Sequence, residues 1–222
     1  MEIAEDNSSP DLDRNGSCWA TAKVDPAAHE RKDIRIIFGY GSIMWRPALD
    51  YTSSFPARVK GYVRRFWQSS VDHRGTVDYP GRVATLLRCK DLPHTSSRDR
   101  AEGEREGVWG MAYVLKDDGF DDTMRMLDIR EKNGYTRTVA TLYDADDKAI
   151  GEAFLYYGSI DISENPMYTG PEDVKTIAKR VNRAVGPSGA NADYVCRLWR
   201  CLQTLGVRDD HVQSIYDAIK TA

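Results

Sequence analysis

Glu131 stands on an apolar stripe, and a carboxylate there needs a reason. In FDDTMRMLDIREKNGYTR, residues 120–137, Asp121 and Asp122 suit a helix start and Asn133-Gly134 suits its end. At about 100° per residue, Phe120, Met124, Leu127 and Glu131 fall on one face. A carboxylate pointing with the apolar side chains is paired with a cation, protonated, or held for chemistry, because burying it alone and charged is costly. Its place in the last turn, beside the negative end of the helix dipole, also raises its pKa and makes it a stronger base. The alternative is a structural ion pair with Arg130 or with an arginine from a facing strand. Met126 and Ile129 lie off the stripe, so the helix is not cleanly amphipathic.

A second chemical candidate is IIFGYGSIMWRP, residues 36–47. Its two glycines follow a strand-like run and let successive backbone N–H groups converge on an anion such as a carboxylate or phosphate. The dinucleotide and triphosphate signatures fail, since no third glycine stands at GxGxxG spacing and no GK[ST] follows. An ordinary strand-to-loop turn is the competing reading. YGSI recurs at residues 157–160 with a single glycine, at the end of another strand-like run, and reads as strand and packing only.

Strands and helices must position these two pieces. Segments 34–38, 57–70, 81–88, 108–115, 137–143 and 153–160 are rich in Val, Ile, Thr, Tyr and Trp and are separated by Gly, Pro and Asp turn signals. Arg64 and Arg65 alternate along one of them, so only one can face a barrel interior, and neither is placed in the site. The C-terminal third changes to helical spacing. Pro171 sits at a first helical turn, with Val174, Ile177, Ala178, Val181 and Val185 repeating behind it and Gly186-Pro187 as the stop. Tyr194, Leu198, Cys201, Leu202 and Leu205 share a face of a second helix ending at Gly206, and a short third helix follows. These stripes read as core-facing. Residues 94–107, HTSSRDRAEGEREG, carry almost no apolar side chain and read as a long exposed loop of the kind an insertion makes.

The 222 residues suit one domain, taken as residues 33–222 behind a mobile extension at 1–32 that lacks apolar periodicity. Hydrophobic residues make up 41%, charged residues 29%, and the net charge is −3, which points to neither nucleic acid nor an anionic membrane. No apolar run approaches the roughly 20 residues of a membrane span, and the acidic N-terminus has no signal-peptide pattern, so the expected compartment is the cytosol. Cys18, Cys89, Cys196 and Cys201 form no CxxC pair and the four histidines are scattered, so no metal site is expected and the thiols read as free.

In family order, IFGYGSIMWRP, GYVRRFWQSSVDHRGTVDYPGRVATLL, VWGMAYVL, LDIREKNGY, NPMYTGP and AVGPSGANADYV resemble the ChaC family of gamma-glutamylcyclotransferases, over about residues 34–216. The resemblance implies an α+β fold, a small mixed β-barrel flanked by helices. It implies conversion of glutathione to 5-oxoproline and cysteinylglycine without metal or cofactor. It places the substrate-binding loop on Ile37, Phe38, Gly39, Tyr40, Gly41 and Ser42, and the catalytic glutamate on Glu131. Arg74 and Tyr168 fall in matched polar segments and are equally read as pocket lining or as structure. The chain departs from the family pattern at SIM for Ser-Leu-Ile, at KNG for Lys-Gly-Gly, in the extension, and at 94–107. Two other readings stay open: a cyclotransferase for other gamma-glutamyl amino acids or amines, and a non-catalytic binding module on the same scaffold.

Overall fold

The computed structural model describes residues 21–93, 96–132 and 134–221. In chain order the elements are β1 (Lys23–Val24), α1 (Pro26–His29), β2 (Ile36–Gly39), β3 (Tyr51–Val59), β4 (Tyr62–Ser70), β5 (Gly81–Arg88), α2 (Ser97–Arg105), β6 (Val108–Leu115), α3 (Phe120–Arg130), β7 (Tyr135–Tyr143), β8 (Ala149–Gly158), α4 (Val174–Arg183), α5 (Asn191–Thr204) and α6 (Asp210–Thr221). Strands β7-β3-β6-β2-β8 form one sheet that closes on itself through β7–β8. All its pairings are antiparallel except β2 with β8, where Ile37 faces Phe154 in parallel, so the barrel is mixed.

Four strands of the barrel turn an alanine inward. Ala57, Ala112, Ala140 and Ala153 share the barrel core with Phe38, Val59, Leu142, Leu155 and Tyr157, as a barrel of so few strands requires. Side chains of opposite parity face outward: Ile37, Tyr113, Leu115, Phe154 and Tyr156 pack against Met124 and Leu127 of α3. Across the molecule, β4 and β5 form a separate hairpin whose apolar face is buried by Ile177, Val181, Val195, Leu198, Leu202, Val212 and Ile215 of the C-terminal helices.

Three expectations are corrected. The stretch 57–70 is two strands, parted at Gly61, whose φ of +80° makes the turn; β3 also extends back to Tyr51 through residues that are mostly exposed and lack an inside-outside signature. Residues 94–107 contain α2. It docks on β4 because Asp99 and Glu102, one turn apart, both grip the buried Arg65 at 2.7 and 3.0 Å, and because Gly103 lets the helix approach the Tyr62 carbonyl and Cys89 closely. A helix held by charge shows no apolar stripe. Residues 21–32, expected to be mobile, are packed: β1 pairs in parallel with β7, and Ala22 and Ala28 are buried beside Ile34. Residues 1–20 of that expected extension lie outside the described residues. Smaller differences concern α4, which starts after its Asp173 cap, beyond Pro171, and ends before the exposed Val185. Among the described residues no helix is long and apolar enough to cross a membrane, and Cys89, Cys196 and Cys201 are free thiols.

Both arginines of β4 are buried, because they point to opposite faces of a strand covered on both sides, and the register slips just after them, between Arg65 and Gln68. Arg64 turns to Asp209 at 2.9 Å and Arg65 to α2, so neither reaches the barrel interior. The slip leaves the Phe66 N–H out of the ladder, and it donates to His211 Nε2 at 3.0 Å. His211 must be neutral to accept that bond. Burial, then the nearby Arg65, holds its pKa down to about 4, against the pull of Asp209 and Asp99. A histidine depressed in the native state stabilises fully above its unfolded pKa and loses that stabilisation as pH falls through 6.5 toward about 4. The loss amounts to about 3 kcal/mol. Denaturant unfolding should therefore give a lower stability at pH 4.5 than at pH 7.5, and His211→Gln, whose carbonyl can still accept, should flatten that difference.

Candidate active site

The glycine loop is held by what its glycines omit. A β-carbon on Gly39 would lie 2.6 Å from the Ile43 side chain, and one on Gly110 of the adjacent β6 would lie 2.3 Å from the Gly39 carbonyl oxygen. Both glycines are therefore required for β2 to run close to β6 and turn out immediately afterwards. Ser42–Met44 then make a single 3-10 turn, with Met44 N–H bonded to Gly41 O at 3.0 Å and Arg46 N–H to Ser42 O at 2.9 Å. The first amides of such a turn have no acceptor within it.

Phe38, Gly39, Tyr40, Gly41, Ser42 and Ile43 line a cavity of about 390 Å³, and Glu131 lines the same cavity. Ile37 does not. It is fully buried between the barrel and α3, because strand alternation turns its side chain away from that of Phe38. Arg74 lines the cavity and Tyr168 does not. The second YGSI is also absent from the lining: Tyr157 fills the barrel core, and the Ser159 hydroxyl bonds to Glu164 at 2.9 Å.

Glu131 caps α3, its N–H donating to Leu127 O at 2.8 Å. Its side chain is only 20% exposed. The expected cation is present but poorly engaged: Arg130 Nε stands 3.5 Å from Glu131 Oε1, too long for a good hydrogen bond, while Arg130 Nη2 donates to Ser42 Oγ at 2.8 Å. Arg130 thus ties the helix end to the glycine loop. Burial raises the Glu131 pKa above that of an ordinary glutamate, the Arg130 charge offsets this in part, and Asp72 adds to it. Three buried phenols stand in the same neighbourhood. Tyr40 and Tyr135 are hydrogen-bonded to each other, and Tyr135 also to Thr85; burial first, then neighbouring negative charge, pushes both pKa values up. Tyr194 is pushed up to about 12, chiefly by burial, and its oxygen accepts the Ala84 N–H at 3.3 Å. All three remain neutral O–H donors at physiological pH.

Tyr135 and Tyr194 are the parts that sequence reasoning missed. Tyr194 belongs to the apolar stripe of its helix, but its hydroxyl reaches the cavity. Tyr135 closes the string REKNGY and could have been singled out there. The remaining wall is Trp45, edge-on to Tyr194 at 5.3 Å between ring centres, with Val83 and Met167. The mouth is mainly cationic, with Arg46, Arg74 and Lys132 against Asp72, and His73 beside them.

Gly41 belongs to the first YGSI copy and Ser159 to the second, and their replacement should differ in effect. A β-carbon at Gly41 would sit 3.0 Å from the Tyr194 hydroxyl, inside the cavity, so Gly41→Ala should raise KM by about tenfold or more. Ser159→Ala should leave steady-state kinetics unchanged.

A closed mixed barrel that releases one strand into a glycine loop facing a poorly solvated carboxylate has the gamma-glutamylcyclotransferase-like architecture. The chain belongs to the ChaC family: the family model described as ChaC-like protein matches residues 35–222. It is 37% identical over 180 residues to the glutathione-specific gamma-glutamylcyclotransferase of Schizosaccharomyces pombe, covering 79% of this chain and 87% of that one. It is 36% identical over 192 residues to the human glutathione-specific gamma-glutamylcyclotransferase 1, covering 83% and 78%. The crystal structure of the gamma-glutamyl cyclotransferase specific to glutathione from yeast superposes with a TM-score of 0.72 at 27% identity, over 84% of this chain and 97% of that one.

Proposed function

We propose that the cavity binds glutathione and that the chain is a glutathione-specific gamma-glutamylcyclotransferase, acting in the cytosol with Glu131 as its acid/base. The observation that carries the residue assignment is the pairing of one carboxylate of raised pKa with the glycine loop in a single cavity. The substrate α-carboxylate sits against the N–H groups of residues 39–42. Its α-ammonium is thereby placed beside Glu131, which removes a proton. The freed amine attacks the γ-carbonyl carbon of the same molecule, closing a five-membered ring and placing negative charge on the carbonyl oxygen. The neutral phenols, Tyr194 among them, are donors for that charge. As the carbonyl re-forms, the amide C–N bond breaks, Glu131 returns the proton to the departing cysteinyl nitrogen, and the ring nitrogen gives up its second proton to the released amine through solvent. 5-Oxoproline and cysteinylglycine leave.

Holding the γ-glutamyl unit curled makes the attack intramolecular, the largest share of what the site must supply. A base of raised pKa suits both proton transfers. The cationic mouth suits a substrate with a second carboxylate at its far end, which favours the tripeptide over γ-glutamylamines. Purified protein given glutathione, a γ-glutamyl dipeptide or a γ-glutamylamine should release 5-oxoproline fastest from glutathione. Faster release from either of the others would replace the substrate named here.

A further inference from the structure

A second cavity, of about 590 Å³, lies away from the active site between α2, the start of β6 and the corner joining α5 to α6. Five arginines line it, Arg58, Arg64, Arg98, Arg105 and Arg208, against four carboxylates, Glu102, Glu106, Asp209 and Asp210. The carboxylates are already engaged. Glu102 holds Arg65, Glu106 holds Arg105, Asp209 holds Arg64 and Asp210 holds Arg208. Arg58 is held by Asp147, outside the cavity, at 2.7 Å.

N–H donors are left over. Arg98, on the exposed side of α2, has no hydrogen-bond or ionic partner among the described residues. Arg105 and Arg208, whose side chains are 78% and 71% exposed, each spend one nitrogen on a neighbouring carboxylate and keep further N–H groups for a ligand. These walls favour a ligand that brings several acceptor oxygens. Guanidinium forks match phosphate oxygens in spacing and charge. A bare phosphate would fill little of the space, and the carboxylates at the rim weaken its attraction. Ala101, Trp109, Leu202 and Val207 supply an apolar wall for a larger body.

We propose that this cavity is a second binding site, separate from the catalytic one, for an organic phosphate whose phosphate group meets Arg98, Arg105 and Arg208 and whose body lies against Trp109 and Val207. Such a ligand bridges α2 to the α5–α6 corner and ties down a helix otherwise anchored through Arg65. It needs no bond-making and is independent of Glu131.

Titration calorimetry with AMP as the probe, and with adenosine and inorganic phosphate as partial probes, tests this. AMP should bind saturably and at least about tenfold more tightly than either fragment, and it should raise Tm. Arg98→Ala and Arg98→Glu, at an exposed helical position that can be changed without unfolding, should each weaken AMP by about tenfold or more. Glu131→Gln should bind AMP unchanged. Absence of saturable AMP binding, AMP no tighter than its fragments, indifference to both Arg98 variants, or displacement of AMP by glutathione would each overturn the proposal.

Discussion

Replacing Glu131 with Gln is expected to leave a folded protein whose turnover of glutathione has dropped by roughly 10²–10⁴-fold, the span usual for loss of a positioned acid/base. Gln keeps the size and much of the hydrogen bonding and removes only the proton-accepting carboxylate. Because both proton transfers pass through that group, kcat should fall more than KM rises. Stability should move in the opposite direction from activity. A carboxylate whose folded pKa is raised binds protons more tightly in the native state than in the unfolded chain. Its ionisation therefore costs native stability as pH rises through that pKa, and a neutral amide escapes the cost. Glu131→Gln should be as stable as the parent or more so at pH 7, with the difference closing below the ordinary glutamate value of 4.5. If Glu131 were a structural partner of Arg130, the same variant would lose stability and keep turnover. In the parent, the acidic limb of the kcat/KM profile should lie above 4.5, since the base must be deprotonated to act.

What could be read from the sequence depended on whether a residue's role leaves a mark near itself in the chain. β5 and β6 run from Gly81 to Arg88 and from Val108 to Leu115, the limits their composition suggests, because both are buried and bounded by turns. Glu131 was legible as a contradiction, a charge where Met124 and Leu127 predict burial. The outer half of β3 was not, because Tyr51 to Ser54 face solvent and Pro56 argues against a strand. α2 was missed for the same physical reason that it exists: Asp99 and Glu102 close on an arginine more than 30 positions away, and no local period records that. Gly110 is the extreme case. Its role is to leave room for the carbonyl of Gly39, on another strand, and nothing beside it in sequence says so.

Gly134→Ala is expected to damage both stability and catalysis, and the reason lies in the second YGSI. Gly134 has φ of +95°, where side chains are strained, and an added β-carbon would fall 2.4 Å from the Cβ and Oδ1 of Asn165. Asn165 has no slack to yield. It is fully buried, exchanges two amide hydrogen bonds with Gln68 at 3.0 and 2.9 Å, and donates to the Ser159 carbonyl at 2.8 Å. The Ser159 N–H in turn holds the Gly134 carbonyl at 3.1 Å. The main chain of the second copy, with Asn165, thus braces the turn that follows Glu131, while its side chain at Ser159 contributes nothing to the cavity. Strain at a positive φ together with the clash should cost about 2–4 kcal/mol. Whatever gives way shifts a segment that begins three residues from the base, and a displacement near 1 Å can cost on the order of 10²-fold in rate. The variant should therefore melt well below the parent and, assayed below its own Tm, still show depressed kcat. A Gly134→Ala protein with parental Tm and kcat would remove the brace from the account and leave Glu131 positioned by α3 and Arg130 alone.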